Sequence, residues 1–164
     1  MTTSERKALI ERYKGGYAEV TAALAGIDPD ELDWRPAPGE WSAREVVHHL
    51  ADSETISGIR LRRLLAEDRP AIQGYDQEDY ARRLRYQTRP MEPALHAFQA
   101  ARATTAQLLD LMSDADWQRA GVHSESGPYV ATTWLQIYGE HAHIHADQIR
   151  KNRAAWAAAA SRGR

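Results

Sequence analysis

Cysteine is absent from this chain of 164 residues. That excludes disulfide bridges, thiolate metal ligands and a thiol nucleophile, and it agrees with a reducing compartment. Long apolar runs are missing as well. No stretch approaches the roughly 20 residues a membrane span requires, and the opening MTTSERKALIERYK is charged and helical in pattern, without the apolar centre of a signal peptide. The expected location is therefore the cytoplasm, with no membrane partner. An excess of one charge is lacking too: the formal net charge is −2. Broad nucleic-acid affinity needs a strongly basic face, so no nucleic-acid partner is expected. Phenylalanine occurs once, valine is scarce, and strand-like alternation over four or more residues is hard to find.

What remains is a helix-forming composition rich in Ala, Leu, Glu, Arg and Gln. Apolar residues make up 43% and charged residues 27%, enough for a sizeable core under an ordinary soluble surface. The length suits one domain covering residues 1–164. The class is all-α.

Four long amphipathic helices can be traced. The first, over 4–25, has Leu9, Tyr13, Tyr17, Val20 and Leu24 on one stripe. Gly15-Gly16 interrupts it, each interior glycine losing about 1 kcal/mol against alanine, and Gly26 ends it. Asp28-Pro29-Asp30-Glu31 opens a short helix. The connector Trp34-Arg35-Pro36-Ala37-Pro38-Gly39-Glu40-Trp41 cannot be helical. Ser42 and Glu45 form a capping box for the second long helix, 43–67, with Val46, Leu50, Ser53, Ser57, Leu61 and Leu64 on one face. Gln77 to Arg85 reads as another short helix. The third long helix begins between Pro90 and Pro93 and runs to Met112. A capped turn follows at Ser113 to Trp117, faintly similar to Asp28–Trp34 but too short to be a repeat. Residues 119–130 read as loop, the fourth long helix covers 131–153, and the alanine-rich tail is expected to fray. A four-helix bundle with short helices in its connecting loops is the natural architecture.

The seven histidines are unevenly placed, five of them in two helical clusters. A helix advances about 100° per residue, so His141 and His145 share a face while His143 falls on nearly the opposite side. The stripe of Trp134, Tyr138, His141, His145 and Ile149 shows that this face points inward. Imidazole suits zinc, nickel, copper or iron, and a catalytic zinc has three protein ligands and one open position. An H-x3-H pair needs a third ligand, for which His48 and His49 are the available sources; about 100° apart, at most one of them faces the pair. Packed histidines hydrogen-bonded in the core are the plainer interpretation, yet two adjacent buried imidazoles without a metal would need other polar partners. His96 and His123 read as surface or packing residues.

The stretch from Trp41 to Glu54, WSAREVVHHLADSE, following the WRPAPGE connector, resembles the signature of the DinB/YfiT superfamily, and the H-x3-H-x2-Q-I pattern ending at Ile149 resembles its last helix. Ile59 to Tyr75 also resembles the YfiT branch. The resemblance implies a four-helix bundle of non-sequential helix order, often a homodimer. It implies one divalent metal, zinc or nickel, on His49, His141 and His145. Where the family commonly has a further histidine just before the last ligand, this chain has Ile144. The implied activity on a small-molecule substrate is metal-dependent hydrolysis, or S-transfer from a small thiol of the bacillithiol, mycothiol or glutathione type. Asp52, three residues beyond His49, is a candidate base. Glu54, five beyond, reads as pointing elsewhere. The alternative from another class is a non-catalytic metal-binding module, structural or sensing, whose fourth position would be closed by a side chain.

Overall fold

A computed structural model of the chain describes residues 1–162. In order it forms α1 (Thr3–Leu24), α2 (Pro29–Asp33), α3 (Ala43–Ala66), β1 (Ala71–Ile72), α4 (Gln77–Arg83), α5 (Met91–Leu111), a 3-10 turn at Asp116–Gln118, β2 (Ala120–His123), β3 (Gly127–Val130) and α6 (Ala131–Arg162). The helix starts are local chemistry. Thr2 with Glu5, Asp28 with Glu31, and Ser42 with Glu45 each form a reciprocal capping box, and Pro29 opens α2. Gly26, at φ 65°, lets the chain leave α1 through a left-handed residue.

The four long helices form a bundle in which α1 packs on α6, α6 on α3, α3 on α5, and α5 on α1. The first and second long helices therefore face each other across the diagonal, and the connectors 25–42 and 112–130 carry the chain across the bundle. Two apolar clusters fill the interior. One gathers Val20, Leu24, Val46, Leu50, Phe98 and Ile149, and the other Tyr13, Leu61, Leu64, Leu109, Trp117 and Trp134. Each such side chain, fully buried, contributes on the order of 1.5–3 kcal/mol. The indole of Trp134 donates to the Ser57 carbonyl at 2.8 Å, so its polar atom is satisfied inside the core.

Two expectations need correction. Residues 119–130 are not simply loop: β2 and β3 form an antiparallel hairpin, and β1 joins β2 in parallel, with Ala71 opposite Val122. Strands of two to four residues containing Gly and Pro are too short to show alternation. Gly121 is required at this junction, because a Cβ there would stand 2.5 Å from the Pro70 carbonyl oxygen. Nor does the last helix end near 153: α6 continues through Arg162, where Trp156 meets Trp34 edge-on at 5.7 Å. Among the described residues no helix is long and apolar enough to cross a membrane.

Candidate metal centre

The capping box at Ser42 fixes where α3 begins, and two turns later His49 enters the interior, 2% exposed. Its ring packs on Trp41 at 4.8 Å. From α6, His141 and His145 meet it one turn apart. The ring centroids are 5.2 Å (His49–His141), 4.7 Å (His49–His145) and 4.6 Å (His141–His145). One ligand nitrogen from each of the three lies within 4.8 Å of the others. His145 Nδ1 sits 2.8 Å from the Gln148 side-chain oxygen, to which it donates, so Nε2 is the unprotonated nitrogen.

Burial, reinforced by the neighbouring His145 and His141, pushes His49 down to about 2. His145 is pushed down to about 4 by burial and by His141, against the opposing hydrogen bond that it donates to Gln148. Both are neutral at physiological pH, the form that binds metals. Nitrogens bound tetrahedrally at about 2.0–2.1 Å from zinc stand roughly 3.3 Å apart; His49 Nε2 and His141 Nε2 are 3.2 Å apart. The donor set fits a divalent ion.

His48 and His143 lie elsewhere. His48 Nε2 donates to the Arg89 carbonyl at 3.2 Å and its ring stacks on Tyr86, while His143 Nε2 donates to the Arg12 carbonyl at 2.8 Å. Asp52, the candidate base, accepts a 2.6 Å hydrogen bond from the Tyr86 hydroxyl. It follows His48 by one helical turn and shares that side of α3.

Sequence reasoning missed two features. Glu54, expected to point away, is fully buried directly behind His141: its Oε1 is 3.8 Å from His141 Nδ1, a buried nitrogen with no hydrogen-bond partner among the described residues. The same carboxylate pairs with Arg102 at 2.5 Å and accepts from the Tyr13 hydroxyl at 3.1 Å. Arg102 in turn donates to the Tyr13 carbonyl. Gly16 makes this possible, since a Cβ there would lie 2.6 Å from both the Arg102 guanidinium and the Ala142 Cβ. His123, read as a surface or packing residue, lines a cavity of about 220 Å³ against His49 and His141, with Arg60, Tyr75 and Tyr138 also in its walls. Its position depends on a strand that alternation could not reveal. A second cavity of about 280 Å³ reaches His145 and Gln148 past Trp41.

Comparisons with known proteins agree on kinship. The sequence profile of the DinB superfamily matches residues 12–149. A protein of Geobacillus thermodenitrificans, provisionally named a metal-dependent hydrolase, is 32% identical over 136 residues, covering 80% of this chain and 76% of its own. Among solved structures, YfiT from Bacillus subtilis, described as a probable metal-dependent hydrolase with an unusual four-helix bundle topology, superposes with a TM-score of 0.89. It is 25% identical, and the match covers 96% of this chain and 90% of that one. TT2238, a four-helix bundle protein, shares the fold at a TM-score of 0.64 and 20% identity, over 89% of this chain and 98% of its own.

Proposed function

This chain belongs to the DinB superfamily, and from that premise we propose an enzyme in which His49, His141 and His145 hold one divalent ion, zinc or nickel, for hydrolysis of a small molecule. One observation carries the reading: three imidazole nitrogens converge within 4.8 Å, and two of the rings, His49 and His141, line a cavity. A structural site closes its fourth position with a side chain, whereas a catalytic one keeps it open to solvent or substrate. When bound, such an ion supplies Lewis acidity and lowers the pKa of a coordinated water toward neutrality.

The chain's own residues do the positioning. Gln148 fixes the tautomer of His145, Trp41 braces the His49 ring, and Tyr138 packs edge-on against His141 at 5.7 Å. Neutral His49 and His145 leave the charge of the ion undiminished.

S-transfer from a small thiol is a second reading, favoured by the room at the site. The cavity of about 220 Å³ is several times the ~30 Å³ share of one water. The test is metal content of protein purified without a histidine tag, beside His145→Ala, followed by assays of ester, amide and thiol-transfer substrates after chelation and metal restoration. Near one equivalent of metal, lost in the variant, with turnover returning on reloading, is the expected result. Stoichiometric metal without turnover would favour the structural or sensing module. No metal in either protein would refute the proposal.

A further inference from the structure

Six arginines other than Arg60 are at least partly buried: Arg6, Arg44, Arg63, Arg102, Arg119 and Arg153. Each pairs with an Asp or Glu carboxylate within 4.0 Å. Arg60 is the exception among the described residues. It belongs to α3, three turns beyond His49, and side chains on a helix lean toward its N-terminus. Its guanidinium therefore reaches back into the wall of the cavity that His49 and His141 also line.

The guanidinium is held in place without being neutralised. Nη1 donates to the Tyr138 hydroxyl at 3.1 Å, Nη2 donates to the Gln73 carbonyl at 2.6 Å, and the Tyr75 ring lies 5.8 Å away. Nε is buried and has no hydrogen-bond partner among the described residues. A cation taken partly out of water normally has a carboxylate beside it, because its desolvation is otherwise uncompensated. The carboxylate that lines the same cavity, Glu125, lies instead against Gly74, where a Cβ would be 2.4 Å from its Oε1. So an arginine fixed by two neutral acceptors, with donors to spare, faces the histidines across a space of small-molecule size.

We infer that this cavity receives a substrate bearing a carboxylate, which Arg60 binds while the reacting group lies at the histidines. The inference rests on the metal-centre reading above and adds the substrate's chemical class. A planar guanidinium matches a carboxylate through paired N–H donors, and such charge-assisted bonds are the stronger kind. Tyr138 and Gln73 act as positioning residues for Arg60, and Tyr138 also touches the His141 ring, so both ends of the substrate are referred to one framework.

The test uses the full chain loaded with cobalt, whose visible spectrum changes when a thiol binds. The probes are 3-mercaptopropionate and 4-mercaptobutyrate against 3-mercapto-1-propanol and 4-mercapto-1-butanol, titrated into native protein and into Arg60→Met, Arg60→Gln and Arg60→Lys. The better acid is expected to bind about tenfold more tightly than its alcohol. That preference should vanish in the Met and Gln variants and persist in part in Lys, with affinity for the alcohols unchanged. Circular dichroism identifies the variants that fold, and any one of them decides. Equal affinity of acid and alcohol in native protein, or an undiminished preference in the folded variants, overturns the inference alone. Failure to take up cobalt overturns the metal centre and this inference with it.

Discussion

Glu54 is completely buried, shares its charge with Arg102 and stands 3.8 Å behind His141, a ligand in the proposed metal site. Replacing it by glutamine keeps the shape but leaves Arg102 buried opposite a neutral amide. Partners behind a metal ligand set its orientation and basicity, and their loss typically costs 10–100-fold in affinity. Glu54→Gln should therefore weaken zinc binding by about that factor, measured by chelator competition. Arg102→Leu strands the carboxylate and should lower unfolding stability by about 3–5 kcal/mol, read from denaturant midpoints. An Arg102→Leu protein as stable as the parent would show that the pair is not a coupled unit. Glu54 was illegible from the sequence because one-face reasoning treats a helix as having one buried side. α3 packs on α5, α6, α2 and α4, and residues 45–51 are all buried. Asp52 shows the same limit: helical spacing put it near the His49 face, yet it lies closer to the His48 direction, where the Tyr86 hydroxyl donates to it.

The histidines also set a pH dependence. His49 and His145 are held below their ordinary value, to about 2 and about 4. In the unfolded chain both take up protons near pH 6.5, so below that pH the unfolded state binds more protons and stability falls. The metal-free protein should lose stability as pH drops from about 6.5 toward 4, by up to about 1.4 kcal/mol per pH unit for each histidine. Thermal melts of apo protein across this range test it, and His145→Ala should flatten the slope. A flat native profile would contradict neutral burial.

At the scale of elements, the long helices were legible because amphipathic periodicity and capping boxes agree. The second was expected at 43–67 and spans Ala43–Ala66. The His-x3-His pair was legible for the same reason, since spacing on one helix fixes its face. Which histidine of α3 would meet it was not fixed by spacing, because that depends on how two helices cross. The three-stranded sheet escaped notice altogether, yet it brings His123 and Glu125 to the cavity wall. Gly121→Val would press a branched side chain against Pro70 where even a Cβ would stand 2.5 Å from the carbonyl. The expected cost is about 1–3 kcal/mol, with amide exchange rising in 120–130 while the four long helices stay protected. Uniform loss of protection would mean the sheet is integral to the bundle's stability.

For the whole molecule, the proposed ion joins α3 to α6, the second and fourth long helices. Binding only to the folded state, at a free concentration 100 times its Kd, adds about 2.7 kcal/mol. In a domain of this size that raises Tm by roughly 5–10 °C. Calorimetry with and without zinc should show the shift in native protein and none in His145→Ala. An equal shift in both would place zinc elsewhere.

Gly16 bears on the protein's history. A methyl at this position meets the guanidinium of Arg102 and, just as closely, the Cβ of Ala142. Alanine at 16 therefore cannot arrive first in a lineage without displacing the cation that neutralises Glu54. A side chain at 16 is accommodated only where the guanidinium of residue 102 and the backbone carrying residue 142 both give way. Among relatives a side chain at position 16 should go with a change at 102 or 142.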